Sequence, residues 1–314
     1  MPRVVVIIPT HNRAELLRGA VNSVFNQTFE DFEIIVVDDA SNDNTSDVVT
    51  SFHDDRIRFI RHKTRNGGAA ARNSGIMNST CDYIAFLDDD DEWFPDKLAK
   101  QMDVMLASPP EVASVYTGYH IVDRASGKVT GQMIPAKRGD LSKALLMDNC
   151  IGGTSSVLIK KDCFKKVGMF DETLRSFQDY DLWIRISRWF QFDYVKEPLL
   201  KYHVHQKQIW TNLDALSQGM EIMLGKHGDS PHLRKYFSYQ YLSLGVNFCY
   251  MGNVIRGRES YIQAIRLYPF EIRHYFNLGL SFFGVEIFTR IKRAKERLQI
   301  TSREESPFPE SKGA

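Results

Sequence analysis

The chain has 314 residues, enough for one large domain or for a main domain with an appendage. Its 40 Lys and Arg residues balance 39 Asp and Glu residues, so no global positive field indicates nucleic-acid binding. The four cysteines include no C-x-x-C pair, and no apolar run reaches the length of a signal-peptide core or a membrane span. We therefore expect a cytoplasmic protein with reduced thiols.

The first hundred residues alternate between apolar, strand-like runs and helix-like segments. The strands are predicted at residues 4–8, 32–37, 57–60 and 83–87. Asn12 can cap a first helix that has Glu15 as its third residue, and Gly67 and Gly68 form a turn that enters an alanine-rich helix. This alternation predicts an open α/β sheet with right-handed crossovers.

Four consecutive aspartates, Asp88 to Asp91, follow the fourth predicted strand. Like charges repel, so a fold has little reason to collect them at the end of a buried strand unless a cation or positive ligand lies opposite. Carboxylate oxygens suit Mg²⁺ or Mn²⁺, which share their other positions with water and substrate phosphates. A solvated acidic turn is disfavoured because the flanking apolar residues place the acids at the carboxyl end of a core strand. The pattern predicts a metal and diphosphate site.

Beyond residue 110 the pattern is mixed, with strands predicted at residues 112–122, 154–159 and 199–202 and helices at 162–167 and 181–190. No polar linker separates this region from the first, so we assign residues 1–212 to one domain with a mixed open sheet flanked by helices. Residues 213–300 are predicted as an all-α C-terminal appendage. Residues 301–314 are polar, contain prolines, and are predicted to be a disordered tail.

The helical appendage has two open interpretations. Leu278-Gly279 repeats Leu244-Gly245 after 34 positions, which is the period of the tetratricopeptide repeat. The appendage is therefore either a protein-binding repeat or a set of helices that packs on the first domain.

A second pair of interpretations concerns residues 276–298. An apolar stripe at helical spacing is followed by a crowd of basic residues; the stripe is Phe276, Leu280, Phe283, Ile287 and Ile291, and the basic residues are Arg290, Lys292, Arg293, Lys295 and Arg297. Such a helix either makes peripheral contact with an anionic membrane surface or forms part of the core with a solvated end.

Six motifs occur in an order that resembles the family-2 glycosyltransferases, inverting enzymes with the nucleotide-sugar-binding fold called GT-A. They are Val-Ile-Ile-Pro-Thr-His-Asn-Arg at 6–13, Ile-Val-Val-Asp-Asp-Ala-Ser at 35–41, Asn-Gly-Gly-Ala-Ala-Ala-Arg-Asn at 66–73, Phe-Leu-Asp-Asp-Asp-Asp-Glu-Trp at 86–93, Val-Gly-Met-Phe-Asp-Glu at 167–172 and Gln-Asp-Tyr-Asp-Leu-Trp-Ile-Arg at 178–185. The resemblance covers residues 3 to about 205. It implies sugar transfer from a nucleotide-diphosphate donor, with a UDP-sugar expected, to a glycan or lipid-linked acceptor in polysaccharide or other cell-envelope glycan synthesis.

The resemblance also implies where the nucleotide binds. The residues expected to hold the nucleobase and ribose are Pro9, Thr10, His11 and Asp39. A carboxylate such as Asp39 can accept the imide N–H of uracil or the N–H groups of guanine, whereas Asp38 is expected only to cap a turn. Arg72 matches the arginine that flanks the base and the diphosphate, a role that suits a planar donor of fixed charge.

In the same resemblance, the four aspartates match the D-x-D element that binds Mn²⁺ or Mg²⁺. Asp88 and Asp90 take the two outer positions, with Asp90 as the direct metal ligand, and Asp89 lies between them near the ribose. The ion would act as a Lewis acid on the departing nucleoside diphosphate. Because the four acids are adjacent, the register can slip by one, so Asp91 is a reserve candidate.

An inverting transfer also needs a general base on the acceptor side, and the resemblance assigns Asp179. Gln178 stands where the family often has Glu, a difference that bears on acceptor contacts more than on activity. Asp181 is the second candidate for the base. Trp183 either shapes the acceptor pocket or belongs to the core. His205, with His203 nearby, either approaches the diphosphate or metal or is structural.

Two rival classes compete with an active transferase. A catalytically weak scaffold that acts through the helical tail would be favoured by loss of Asp90 or Asp179, and both are present. A dinucleotide-dependent oxidoreductase requires G-x-G-x-x-G directly after a strand, and the turn after Ile8 contains no glycine.

Overall fold

The computed structural model describes residues 3–204, 212–284 and 290. The chain divides into two compact units, residues 1–226 and residues 227–314. The domain boundary expected after residue 212 stays a prediction. Within the described ranges, no helix combines the length and apolar composition that crossing a membrane requires.

In the described part of the first unit, nine strands form one mixed sheet. The strands are β1 Val4–Thr10, β2 Phe32–Asp38, β3 Ile57–Arg61, β4 Tyr83–Phe86, β5 Glu92–Trp93, β6 Val112–Asp123, β7 Val129–Met133, β8 Val157–Lys160 and β9 Gln191–Val204. Their order is β3-β2-β1-β4-β8-β6-β9-β5, and β7 pairs with β6. Strands β1 to β4 run parallel, while β8 lies antiparallel to both β4 and β6. The predicted mixed open sheet is confirmed.

Helices flank this sheet. They are α1 Ala14–Phe25, α2 Thr45–Thr50, α3 Gly68–Asn78, α4 Lys97–Ala107, α5 Cys163–Val167, α6 Gln178–Ser187 and α7 Leu213–His227. The β-branched residues of β1, from Val4 to Ile8, are all fully buried, as expected of a central parallel strand covered on both faces. Burying each such side chain contributes roughly 1.5–3 kcal/mol, so the sheet centre is a rigid platform for the residues at its strand ends.

The predicted capping of α1 by Asn12 is wrong. Asn12 adopts a φ of 54°, its backbone N–H donates to Ser41 Oγ at 2.8 Å, and its side-chain Oδ1 accepts from the N–H of Asn42 at 2.7 Å. Asp43 Oδ2 instead accepts from the first helical N–H, that of Ala14, at 3.1 Å. Asn12 therefore joins the loops after β1 and β2, and the cap comes from the second loop.

Two further boundaries differ from prediction for physical reasons. Residues Thr154–Ser156 form a short 3₁₀ helix instead of the start of β8, because the hydroxyls of Thr154 and Ser155 contact Asp88 in the aspartate loop. Helix α6 begins at Gln178, three residues earlier than expected, after Phe177 turns the chain with a φ of 61°. The earlier start places Asp179 in the first helical turn.

The second unit contains helices α8 Pro231–Tyr250, α9 Val254–Leu267 and α10 Ile272–Leu280 in its described part. The predicted all-α appendage is confirmed. Helices α8 and α9 approach closely at two glycines: a Cβ on Gly245 would lie 2.5 Å from the Tyr261 ring, and one on Gly257 would lie 2.5 Å from Cys249 Sγ. The predicted tail at 301–314 lies outside the described residues.

Candidate active site

The candidate site lies where β1, β2 and β4 end. Thr10 pairs in register with Asp38, and the N–H of Asp39 donates to the carbonyl of Thr10 at 2.9 Å. The N–H of Leu87 donates to the carbonyl of Ile7 at 3.1 Å, which brings the aspartate loop to the same edge. Parallel strands thus collect the three predicted segments, as they do at ligand sites of open α/β sheets.

Asp39 organises the loop after β3. Its Oδ1 accepts from the N–H of Asn66 at 2.8 Å and lies 2.8 Å from His62 Nδ1, and its Oδ2 accepts from the N–H of Gly67 at 2.7 Å. Burial alone would raise the pKa of Asp39, but the hydrogen bonds from Asn66, His62 and Gly67 outweigh burial and lower it. Asp39 is therefore a charged group fixed at the site. Asp38, as expected, caps a turn by accepting from the N–H of Ser41 at 2.9 Å.

Asp89 and Asp90 share one arginine. Arg13 Nη1 lies 3.0 Å from Asp89 Oδ1 and 2.9 Å from Asp90 Oδ2, and Thr10 Oγ1 donates to Asp89 Oδ2 at 2.8 Å. Asp89 is buried, and this burial raises its pKa to about 7, although Arg13 acts in the opposite direction. The structure therefore directs Asp89 toward the protein interior.

Asp91 is the most deeply buried carboxyl of the four. Its Oδ1 accepts from the N–H of His203 at 3.1 Å, and its Oδ2 has no hydrogen-bond partner in the described residues. Burial, followed by the charges of Asp88 and Asp90, raises its pKa well above the ordinary value. His203 Nδ1 lies 2.8 Å from the carbonyl of Asp90, so this histidine holds the aspartate loop.

Arg72 connects the aspartate loop to helix α6. Its Nη2 forms a short ion pair with Asp88 Oδ1, and its Nη1 donates to Gln178 Oε1 at 3.1 Å. The guanidinium lies 5.6 Å from the centre of the Phe170 ring. Only 11% of the Arg72 side chain is exposed, so its pairing with Asp88 is not an ion pair on a helix surface.

Asn73 joins the motif at residues 66–73 to the motif at residues 167–172 by hydrogen bonds. Its Nδ2 donates to the carbonyl of Phe170 at 2.9 Å and to Glu172 Oε1 at 2.8 Å, and its Oδ1 accepts from the N–H of Phe170 at 2.9 Å. The segment at residues 167–172 is thus fixed to α3, and its Phe170 ring packs against the Arg72 guanidinium.

Asp179 lies half-buried in the first turn of α6, next to Gln178. Its Oδ1 accepts from the N–H of Tyr180 at 2.8 Å. Burial raises the pKa of Asp179 to about 6; the Tyr180 hydrogen bond and the charge of Arg72 lower it, and the charge of Asp88 raises it. A carboxylate with a pKa near the working pH has the proton affinity that a general base requires.

The other candidates occupy different surroundings. Asp181 is fully buried and paired with Arg185 Nε at 2.8 Å and with Lys226 Nζ at 2.6 Å. Trp183 is fully buried and donates its Nε1–H to the carbonyl of Gly152 at 3.0 Å. All three contacts hold these side chains inside the protein.

Of the remaining predicted residues, Pro9 lies in β1 opposite Val37. The Nδ1 of His11 lies 2.8 Å from the carbonyl of Asp39. His205 lies outside the described residues.

The donor set at the aspartate loop fits a hard divalent cation. Asp88 and Asp90 supply carboxylate oxygens, the preferred ligands of Mg²⁺ and Mn²⁺, and the accumulated negative charge contributes to the raised pKa values of Asp89 and Asp91. In the structure the arginines Arg13 and Arg72 balance that charge. Across the residues the structure describes, no three His, Cys, Asp or Glu side chains converge as a preformed metal cluster.

The sequence analysis missed several residues that build the site. Arg13 closes the first motif, but no role was assigned to it. Thr154 and Ser155 anchor Asp88: Thr154 Oγ1 donates to its Oδ1 at 3.2 Å, and Ser155 Oγ accepts from its N–H at 3.1 Å. The preceding pair Gly152-Gly153 is the only local signal of that turn. No sequence signal points to His62.

The fold and this edge define a glycosyltransferase of the GT-A class. The chain belongs to glycosyl transferase family 2, because the model of that family matches residues 5–167. The resemblance to family-2 glycosyltransferases that the six motifs indicated is confirmed.

Two relatives illustrate the similarity. The chain is 34% identical over 221 residues to an uncharacterized glycosyltransferase of Rickettsia typhi, covering 69% of this chain and 68% of that protein. It is 28% identical over 243 residues to the UDP-Glc:alpha-D-GlcNAc-diphosphoundecaprenol beta-1,3-glucosyltransferase WfgD of Escherichia coli, covering 77% of this chain and 92% of that protein.

Solved structures share the fold. Staphylococcus aureus TarS 1–349 in complex with UDP-GlcNAc has a TM-score of 0.62 at 13% identity, with 94% of this chain and 92% of that chain covered. The mannosyltransferase PcManGT of Pyrobaculum calidifontis, in complex with GDP-Man and Mn²⁺, has a TM-score of 0.59 at 17% identity, with 92% and 86% covered. The predicted GT-A fold is confirmed.

Proposed function

We propose that this glycosyltransferase is an inverting enzyme that uses a divalent cation and moves a sugar from a UDP-sugar to the hydroxyl of a glycan or lipid-linked acceptor. Its role would be in cell-envelope glycan synthesis, on the cytoplasmic side. The observation that carries the proposal is the half-buried Asp179. Burial raises its pKa to about 6, and the charge of Arg72, the arginine that pairs with Asp88, acts on it.

The chain's own residues divide the work. Asp39 is held charged at the strand edge and would accept an N–H of the nucleobase. Arg72 would hold the diphosphate with its planar guanidinium. Asp179 would take the proton of the acceptor hydroxyl as that oxygen attacks the anomeric carbon from the face opposite the leaving diphosphate.

Asp88 and Asp90 would hold Mn²⁺ or Mg²⁺. When bound, such an ion supplies positive charge that stabilises the departing nucleoside diphosphate. The Mn²⁺ of the PcManGT complex supports this choice, although that similarity concerns the fold alone. The donor and acceptor classes are supported by WfgD, whose name specifies UDP-Glc and a diphosphoundecaprenol-linked sugar.

The test is a thermal-shift screen of UDP- and GDP-sugars with Mn²⁺ or Mg²⁺, because a ligand stabilises the native state in proportion to its affinity. We expect a UDP-sugar to stabilise the wild type only with the cation. The variant Asp90→Ala should lose this cation-dependent stabilisation.

Transfer then tests the base. The variant Asp179→Asn should lose transfer by about 10²–10⁴-fold while it binds the same donor almost as well. Full transfer by this variant would refute the base assignment. Absence of any nucleotide-sugar binding would favour the non-catalytic scaffold.

A further inference from the structure

Helix α10 and the short 3₁₀ turn after it, Ser281–Phe283, bury polar side chains together with Leu280 and expose several large apolar ones. The side chains they bury include His274, Asn277 and Ser281, and the ones they expose include Ile272, Tyr275, Phe276, Phe282 and Phe283. A helix at the surface of a globular protein has the opposite arrangement, with its apolar stripe toward the core. So many large apolar side chains on the outside indicate that they meet something less polar than water.

Six exposed large apolar side chains lie close together in the sequence, and we call them the aromatic face: Phe270, Ile272, Tyr275, Phe276, Phe282 and Phe283. These six large apolar residues occur within residues 270–283, whereas the described part of the entire first unit exposes seven. Phe270 is 85% exposed, Ile272 is 79% exposed and Phe283 is 67% exposed. Single exposed apolar residues are normal, but such crowding marks an interaction surface.

The buried side of α10 shows that this orientation is built into the fold. His274 Nε2 lies 3.3 Å from Ser238 Oγ on α8, and Arg258 of α9 donates from Nε to Ser281 Oγ at 3.2 Å and from Nη2 to the Ser281 carbonyl at 3.0 Å. Two buried atoms, His274 Nδ1 and Asn277 Oδ1, have no partner in the described residues. Burying unpartnered polar atoms is unfavourable, so the specific contacts to α8 and α9 fix which side faces outward.

The predicted stripe through Phe276, Leu280 and Phe283 does not form one face. Leu280 is buried, while Phe276 on α10 and Phe283 in the 3₁₀ turn are exposed. The other stripe residues, Ile287 and Ile291, lie outside the described residues.

Positive charge accompanies the aromatic face. Residues 285–300, which follow it directly, contain five basic side chains, Arg290, Lys292, Arg293, Lys295 and Arg297, against Glu286 and Glu296, an excess of three positive charges. Arg258 also lies over the Phe282 ring at 4.1 Å. Exposed aromatic rings beside basic residues match the interface of an anionic bilayer, where rings enter the headgroup region and cations meet lipid phosphates.

We propose that the aromatic face lies on an anionic lipid surface and anchors the protein there without crossing it. A second copy of the chain fits this face less well, because each copy carries the same excess of positive charge in the residues that follow the face in sequence. The proposal concerns the second unit alone and does not depend on the transfer reaction.

The experiment is co-sedimentation of the full chain with vesicles of phosphatidylcholine alone or mixed with phosphatidylglycerol. Wild type should bind the mixed vesicles, bind phosphatidylcholine vesicles weakly, and dissociate in about 0.5 M salt because screening removes the electrostatic contribution. The double variant Ile272→Ser/Phe276→Ser should bind at least about tenfold more weakly, since two apolar side chains leave the interface.

The matched control is Met77→Ser, which removes an apolar side chain that is 63% exposed on α3 of the first unit and should bind like wild type. The variant Phe270→Ser is a second test of the aromatic face and should also bind the mixed vesicles more weakly than wild type. Circular dichroism should show native helix content for this variant and for the double variant, since all three substituted positions are exposed. Equal binding of wild type and the folded double variant would overturn the proposal. So would vesicle binding that ignores lipid charge, or light scattering that shows a dimer abolished by the double variant.

Discussion

Arg72 Nη1 lies 3.1 Å from Gln178 Oε1 while Nη2 of the same guanidinium pairs with Asp88. One side chain therefore joins the aspartate loop, which we propose binds the diphosphate, to the helix that carries the proposed base. Gln178 also donates from Nε2 to the carbonyl of Leu174 at 2.7 Å, which fixes the orientation of its amide. A neutral amide at this position leaves Arg72 with Asp88 as its only anionic partner among the described ion pairs.

Arg72→Lys should lower kcat/KM by about 10–100-fold, because a lysine keeps the charge but cannot reach both partners with a planar fork. Steady-state kinetics with the donor sugar checks this prediction. Gln178→Ala is the matched control: it removes only one contact of the fork and should cost less than the arginine change. If the Arg72→Lys enzyme were as active as wild type, charge alone would suffice at this position.

The pH dependence should follow Asp179. Its pKa is raised to about 6, and the base must be ionised, so kcat/KM should fall about tenfold per pH unit below about pH 6 and level off above it. The measurement is a pH–rate profile at saturating cation, with the donor's own ionisation checked separately. A profile that stays flat down to pH 4.5 would contradict the assignment of Asp179 as base.

Asp179→Asn should also stabilise the fold at neutral pH, by about 2 kcal/mol, because it removes a carboxylate that burial disfavours and keeps the acceptor for the Tyr180 N–H. The folded pKa is above the unfolded one, so wild-type stability declines as pH rises from about 4 to about 6. The gain of the variant should therefore be absent near pH 4 and complete above pH 6. Thermal or denaturant unfolding at the two pH values measures it.

Asp181→Asn is the control for that experiment and should have the opposite sign. Asp181 is fully buried and paired with Arg185 and Lys226. The change to Asn removes the carboxylate charge that pairs with Arg185 and leaves Lys226 with Asp171 alone, and it should cost about 3 kcal/mol. Stabilisation by both variants would show that the two carboxylates do not differ in environment as the structure indicates.

Gly257→Ala should destabilise the helical unit by about 1–3 kcal/mol, because the added methyl would lie 2.5 Å from Cys249 Sγ and 3.1 Å from the Gly245 carbonyl. Gly279→Ala is the matched control in the same unit. Among the described residues, no atom outside its own helical turn and its chain neighbours lies within 4 Å of the added methyl. Because the position is helical, this change should be neutral or stabilising by up to about 1 kcal/mol. Chemical unfolding of the two variants gives the comparison.

The sheet could be predicted from the sequence because its parallel strands are continuous apolar runs, and the strand ends marked by Asp38 and Asp88 determine where polar residues gather. The strands β5 and β7 could not, since one has two residues and the other is largely exposed. Within the aspartate run, the sequence does not show which of four adjacent carboxylates is buried. In the structure the Asp91 side chain is buried and the Asp88 side chain is partly exposed.

The same limit applies to Asp179 and Asp181. Two residues apart on a helix, they face different surroundings, and only the partners of Asp181, which are Arg185 and the distant Lys226, reveal that it is structural. Arg13 was missed because its carboxylate partners lie far along the chain.

Asp39 gives the site a further property. Because its two oxygens already secure Asn66 and Gly67, the loop after β3 is set during folding and not on arrival of a ligand. Nucleotide binding at this loop would therefore cost little entropy for ordering the loop. The association rate should be governed by diffusion and electrostatic attraction, and selectivity among nucleotides should be found in the dissociation rate.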